Sequence, residues 1–283
     1  MRIVNGREIA ASIKIEIKKE LSKIESKHGL KPKIFTIVSG ENEESKLYLK
    51  LREKACKEVG IETNHLILPE DTNKDRLIGE IKKLNQDKNI HGIIIQFPLP
   101  KNISPNKIID AIDPKKDVEG LNPLNLGKTL VGIEDIVPCT PLAVLTILEK
   151  ENIQLQGKDI VIINHSNIVG KPLAILLLNR NATVSICHVY TKDLKSYAKN
   201  ADIIVTATGK PGLIRGDMIK EEAVLIDVGI SKVGNTVKGD IDFESVKEKA
   251  AVVTPVPGGV GPVTIACSLK NMLKVFKKQH IKL

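Results

Sequence analysis

The chain contains no tryptophan, and only three tyrosines and four phenylalanines occur among its 283 residues. Proteins that grip single-stranded nucleic acid stack its bases on aromatic side chains, and this sequence has too few to build such a platform. The net charge of +9, from 43 Lys and Arg against 34 Asp and Glu, would otherwise invite that reading. The lysines, however, run through segments such as KIEIKKELSKIESK, mixed with glutamate as on a solvated helix face. An anionic small molecule accounts for the excess at least as well, so no nucleic-acid partner is expected. Four cysteines, Cys56, Cys139, Cys187 and Cys267, form no C-x-x-C pair, and the six histidines show no ligand spacing. Neither a disulfide framework nor a bound metal is expected. No apolar run approaches the roughly 18 residues of a membrane span. The first twenty residues are charged and periodic, without the apolar stretch of a secretory leader, so a cytoplasmic protein is expected.

What is present is alternation. Ile9, Ile13, Ile17, Leu21 and Ile24 recur at helical spacing. KIFTIVSG (33–40) then reads as a strand and SKLYLKLREKACKEVG (45–60) as a helix. That helix is expected to turn Leu47, Leu51, Ala55 and Val59 inward and to stop at Gly60. ETNHLIL, NKDRLIGEIKKLNQ and IHGIIIQF continue as strand, helix and strand. FPLP (97–100) interrupts the pattern, and a loop-rich stretch runs to about residue 137. PCTPLAVLTILEKEN reads as a helix with Thr140 as N-cap and Pro141 at its first position. A second series follows: strand 159–163, helix from about 168, then TVSICH, LKSYAKN, DIIVTA and AVLIDVG. TPVPGGVGP (254–262) reads as a loop, and a last helix buries Ala266, Leu269, Leu273 and Phe276. Strands alternating with helices predict an α/β fold of two α/β domains with mainly parallel sheets and a ligand cleft between them.

The candidate sites come from polar residues in these frames. In KDIVIINHSNIVGKPLAILLL a strand enters a helix through NHSNIVGKP, the place where a dinucleotide pyrophosphate meets free N–H groups. The dinucleotide fingerprint has three glycines there, but this loop has only Gly170. Asn164 takes a glycine's place, as the residue that best tolerates positive φ after glycine. Ser166 is a candidate cap and phosphate donor. Cofactor loop and ordinary connection both stay open. Tyr48 and Arg52 are four apart on one helix, beside the apolar stripe. They form either a surface pair or a ring platform with a fixed cation. Gln96 ends a buried strand, where ligands of open α/β sheets sit. Asp117 and Glu119 precede Gly120 in a loop, and a carboxylate there suits a ligand edge carrying two N–H groups.

Taken together and in order, SKLYLKLREKACKEVG, HGIIIQFPLP, KDVEGLNPLNLGK, PCTP, SNIVGKP, ADIIVTATGKPG, IDVGI, GDIDF and TPVPGGVGPVT resemble the methylenetetrahydrofolate dehydrogenase/cyclohydrolase family over nearly the whole chain. The resemblance implies a folate-binding catalytic domain from residues 1–120 plus 263–283 and a Rossmann NAD(P)-binding domain from 121–262. It also implies a homodimer. It assigns catalysis to Tyr48, Arg52, Gln96 and Glu119. The folate would meet Tyr48, Gln96, Pro98, Leu99, Asp117, Glu119, Gly258, Gly259 and Pro262. The dinucleotide would meet Asn164, His165, Ser166, Ile168, Val169, Gly170, His188, Val189 and Ile230.

Three departures stand out: the family lysine four residues after the tyrosine is Arg52 here, the family aspartate after DV is Glu119, and the first glycine of the family's dinucleotide loop is Asn164. Hydride transfer needs orientation and a cofactor. Hydrolysis of the methenyl product needs a proton carrier, which a guanidinium does not readily provide. Oxidation is therefore expected, with hydrolysis weak or lost. A dehydrogenase alone, or another Rossmann dehydrogenase of a small acid, is the alternative. No acidic residue ends TVSICHVYT, which favours NADP over NAD, with Lys171, Arg180 and Lys192 as candidate partners of the 2′-phosphate.

Overall fold

Short β-branched runs bounded by polar turns form the long strands, and the amphipathic segments between them form the helices. The computed structural model describes residues 1–40, 43–100, 102–234 and 236–280. In chain order the elements are β1 (Arg2–Ile3), α1 (Gly6–His28), β2 (Lys33–Ser39), α2 (Glu43–Val59), β3 (Glu62–Leu68), α3 (Lys74–Gln86) and β4 (Gly92–Gln96). Next come α4 (Pro105–Asp110), α5 (Pro123–Leu130), α6 (Cys139–Lys150), β5 (Asp159–Ile163), α7 (Gly170–Leu178), β6 (Thr183–Cys187), α8 (Leu194–Asn200) and β7 (Ile203–Thr206). The remainder is β8 (Val224–Asp227), β9 (Ser231–Val233), β10 (Thr236–Lys238), α9 (Phe243–Val246), β11 (Val252–Val253) and α10 (Val260–His280).

The chain divides into two units. The first holds residues 11–128, 133–137 and the chain from 265 onward. Its sheet runs β3-β2-β4, parallel throughout. Ile34, Ile37, Ile93 and Ile94 fill the sheet, and Leu77 and Ile81 of α3 are buried with them. The last helix is tied to this unit by polar bonds as well as by its apolar face. Asn271 Nδ2 donates to Val118 O and Val137 O, and Gln279 Nε2 donates to His91 O and Lys115 O. Ala266, Leu269, Leu273 and Phe276 are buried, as their spacing requires.

The second unit holds residues 1–10, 129–132 and 138–264. Its sheet runs β1-β11-β8-β7-β5-β6, again parallel, with β9 and β10 as a separate antiparallel hairpin. The first residues, expected with the folate domain, thus add β1 to this sheet beside β11. Two residues carry no readable period. Gly6 is obligatory beside this strand, since a Cβ there would lie 1.9 Å from Gly259 O.

Three other expectations change. The stretch 97–137, read as loop, contains α4 and α5, whose few turns hold too little apolar periodicity to show. Helix α6 begins at Cys139 behind Pro138, so Thr140 lies inside it and caps nothing. The inward stripe of α2 runs through Leu49, Arg52, Ala55, Cys56 and Val59, while Leu47 and Leu51 face out. Ala55 and Val59 are buried as their spacing predicts, while the stripe before them runs through Leu49 and a buried arginine instead of Leu47 and Leu51.

His91, at the entrance to β4, gives the first unit a pH dependence. Its Nδ1 accepts the Lys33 N–H at 3.0 Å, and its ring stands 4.9 Å from those of Phe276 and His280. Burial, helped by His280, Lys116 and Lys33, pulls the imidazole down to about 4. The unfolded chain takes up this proton near 6.5, so between these values unfolding binds protons and stability rises with pH. The expected gain from pH 4 to 6.5 attributable to His91 is on the order of 1–2 kcal/mol after solvent screening. In His91→Asn the Oδ1 can still accept from Lys33, so urea midpoints across this range should lose that part of the slope.

Candidate active site

In the first unit the strand ends and α2 gather the predicted catalytic residues. Arg52, expected at the margin of α2, is only 4% exposed. A guanidinium at that depth needs a counter-charge. Glu119 supplies it, with Arg52 Nη2 3.2 Å from Glu119 Oε1. Arg52 Cζ stands 5.1 Å from the centre of the Tyr48 ring, one helical turn back. Arg52 Nε and Nη1 are buried and have no partner among the described residues. Burial pushes the Glu119 carboxyl above the usual carboxylate range, and Arg52 offsets only part of this.

Gln96 ends β4. Its Nε2 donates to Phe97 O, which also accepts from Ser45 Oγ of α2, while Gln96 Oε1 is buried without a partner among the described residues. Ser39 Oγ, at the end of β2, and Thr72 Oγ1, just past β3, are likewise buried and unpartnered among the described residues. No motif marks these two hydroxyls; their signal is position, at or beyond the carboxyl end of a strand. Buried polar atoms are normally hydrogen-bonded. An edge with this many unmet donors and acceptors is what a polar ligand would complete. Pro98, exposed, and Leu99, half-buried, follow directly.

Asp117 is different. Its oxygens accept from Gly120 N, Asn122 N and Asn125 Nδ2, and it is 1% exposed. It staples the loop that carries Glu119. Burial pushes its carboxyl up, against the pull of those donors.

In the second unit the loop after β5 is built around Asn164. Its φ is not positive, contrary to expectation. The side chain does the work: Oδ1 accepts from Ser166 N and Gly170 N, and Nδ2 donates to Ala207 O beyond β7. Ser166 Oγ accepts from Val169 N inside the turn rather than capping α7. Gly170 is required, since a Cβ there would lie 1.9 Å from Asn164 O. The N–H groups of His165, Asn167 and Ile168 have no acceptor among the described residues. One glycine for close approach and a row of unused N–H groups fit a dinucleotide pyrophosphate. His165 and His188 meet ring to ring at 4.9 Å. Val189 and Ile230 are exposed, and Ile168 and Val169 half-buried. Lys171 is bonded to Asn167, and Arg180 to Leu176 O with Glu149 3.7 Å away, so two of the three candidate cations are engaged locally, while Lys192 is exposed.

Behind these loops lies a carboxylate network that the sequence reading did not single out. Asp240 accepts from Thr206 Oγ1, Thr208 N, Thr208 Oγ1 and Lys210 N. Asp227, ending β8, accepts from Gly229 N, Asp240 N and Ile241 N. Its own N–H donates to Thr254 Oγ1, which leads into the 254–259 loop. Burial pushes the Asp227 carboxyl up to about 6, with backbone donors opposing. Gly258 in that loop has φ +107°, Gly259 is buried, and Pro262 sits in the first turn of α10. Among the described residues no cluster could hold a metal ion, and no helix is long and apolar enough to cross a membrane.

The reading of Asn164 is testable. Asn164→Gly restores the family's residue yet deletes three hydrogen bonds. It should cost about 2–3 kcal/mol in urea unfolding, whereas equal stability would contradict the role given to the side chain.

Comparison with known proteins agrees with this geometry. Residues 4–119 match the catalytic domain of tetrahydrofolate dehydrogenase/cyclohydrolase, and residues 138–280 match its NAD(P)-binding domain. The bifunctional protein FolD of Methanosarcina barkeri is 48% identical over 272 residues, 96% of this chain and 95% of the relative. The solved structure of the bifunctional FolD from Campylobacter jejuni shares 44% identity at a TM-score of 0.95, covering 98% of this chain and 99% of that one. The Trypanosoma brucei methylenetetrahydrofolate dehydrogenase-cyclohydrolase, solved with NADP and an inhibitor, shares 35% identity at a TM-score of 0.95, covering 99% of this chain and 98% of that one. The chain therefore belongs to the tetrahydrofolate dehydrogenase/cyclohydrolase family.

Proposed function

We propose that this chain oxidises 5,10-methylenetetrahydrofolate to 5,10-methenyltetrahydrofolate with NADP, and that its hydrolysis of the product is the weaker of two activities. The observation that carries the folate site is the Tyr48–Arg52–Glu119 cluster with its unmet Arg52 and Gln96 atoms. Tyr48 offers a ring face to the flat pterin. Arg52 Nε and Nη1 donate to its acceptors, and Gln96 Oε1 accepts from an N–H group. Glu119 holds the guanidinium in place, and Asp117 holds the loop that presents Glu119. The 164–170 loop grips the pyrophosphate through its unused N–H groups. NADP, when bound, supplies the hydride acceptor. These residues fix position and field, which is what oxidation asks of the protein.

Hydrolysis asks for more. Water adds to the methenyl carbon, one water proton must leave, and the carbon–N5 bond then opens with N5 protonated. Arg52 keeps its proton throughout. A chain built this way releases methenyltetrahydrofolate faster than it hydrolyses it. A homodimer in the cytoplasm belongs to the same proposal through the family likeness, and light scattering of the purified chain checks the dimer.

With methylenetetrahydrofolate and NADP, the methenyl product should accumulate during turnover. Arg52→Lys should raise hydrolysis of added methenyltetrahydrofolate by about tenfold or more and change oxidation less. Wild-type hydrolysis that keeps pace with oxidation would overturn the assignment to Arg52.

A further inference from the structure

We infer that the buried Asp227 and Asp240 carboxylates favour the oxidised, cationic nicotinamide over the reduced, neutral one, so that the second unit binds NADP+ more tightly than NADPH. The inference rests on the NADP reading above. Asp227 is 3% exposed and Asp240 0%. Hydrogen bonds alone hold them. Asp240 draws Thr206 Oγ1, Thr208 Oγ1, Thr208 N and Lys210 N, and Asp227 draws Gly229 N, Asp240 N and Ile241 N. Among the described residues no Lys, Arg or His side chain pairs with either carboxylate. Every bond ends on a carboxylate oxygen as acceptor, the pattern of an ionised group.

The packing makes room for both groups. A Cβ on Gly229 would lie 2.2 Å from Asp240 Cγ, and one on Gly239 would lie 2.1 Å from Asp227 Oδ2. Each carboxylate fills the space of the side chain that is missing beside the other. Burial pushes the Asp227 carboxyl up to about 6, with backbone donors opposing the rise and Asp240 adding to it. Buried charge is costly unless it is paired. In the first unit Glu119 has Arg52 for this purpose. Here two neighbouring anions lack a cation.

Their place in the sheet says which cation fits. The strand order β8-β7-β5-β6 reverses at β5. A dinucleotide lies across such a reversal, its adenosine half on the side of the strand that follows the phosphate loop and its other half on the opposite side. Here the adenosine side is β6, so the nicotinamide half falls to the carboxyl ends of β7 and β8. Thr206, which ends β7, donates to Asp240, and Asp227 itself ends β8. The loop after β7 is tied to the phosphate loop, Asn164 Nδ2 donating to Ala207 O at 2.7 Å. The backbone around the two carboxylates comes to the surface at Gly209, Lys210 and Ile230, all exposed. The unit thus offers N–H groups where the ligand is anionic and buried carboxylates where its oxidised ring is cationic, which is electrostatic complementarity. Hydride transfer neutralises the ring, so the attraction holds the oxidant and is lost for the reduced product.

Fluorescence and calorimetric titrations at pH 8 test this with three ligands: NADP+, NADPH and 2′-phospho-ADP-ribose, which lacks the nicotinamide. The wild-type chain should bind NADP+ at least about threefold more tightly than NADPH. Asp227→Asn and Asp240→Asn are nearly isosteric, and each should cut that ratio at least about threefold while moving 2′-phospho-ADP-ribose less than about twofold. Carboxylates that only shape the loops would, on replacement, weaken NADP+ and NADPH alike. That outcome, or a wild-type chain that binds NADPH as tightly as NADP+, would overturn the inference and leave the NADP reading intact. The wild-type ratio decides the matter even if an Asn variant does not fold. Failure of the wild-type chain to bind either dinucleotide would overturn both.

Discussion

Parallel pairing is the constraint from which the chemistry follows. In a parallel sheet every strand delivers its carboxyl end to the same edge. In the first unit that edge receives Ser39, Thr72 and Gln96. In the second it receives Asn164, His188, Thr206, Asp227 and Thr254, each ending a strand or standing just beyond one. The apolar bodies of the strands build the core, and the residue where each run stops becomes available for binding.

The two units use their edges differently. In the second, the polar ends satisfy one another: Asn164 reaches Ala207, Thr206 and Thr208 reach Asp240, and Asp240 and Thr254 reach Asp227. Loops tied in this way are held in one shape, and what they leave over is a set of backbone N–H groups. In the first unit the polar ends named at this edge are not satisfied among the described residues. Each buried, unmet polar atom costs about 1–3 kcal/mol, and a buried guanidinium with two bare nitrogens adds to that. Such an arrangement persists because the surrounding core over-determines it, through α2, the sheet and the Asp117-stapled loop. A ligand that meets these atoms regains the lost hydrogen bonds, and this is a direct source of its affinity.

Much of this was legible from residue spacing. The isoleucine series of α1, the apolar runs of β2, β4 and β5, and the closing helix all follow one period each over enough residues to be read. Reading stopped where a single residue carried the information. The face of α2 was misplaced because its buried stripe passes through Arg52, which composition alone assigns to solvent. Asn164 stands where glycine is expected, yet its amide side chain is what shapes the loop. Asp117 and Glu119 stand two residues apart, and the hydrogen bonds of the loop make the first its staple and the second the ion-pair partner of Arg52. Ser39, Thr72, Asp227 and Asp240 stand at strand ends or in turns, where sequence periodicity stops and three-dimensional neighbours begin.

If the unmet polar atoms of the first unit belong to the folate, a crystal structure of the chain with NADP and an unreactive folate analogue should show the pterin against the Tyr48 ring, with Arg52 Nε or Nη1 and Gln96 Oε1 hydrogen-bonded to it. An analogue bound elsewhere, with those atoms still unpartnered or facing only water, would contradict it.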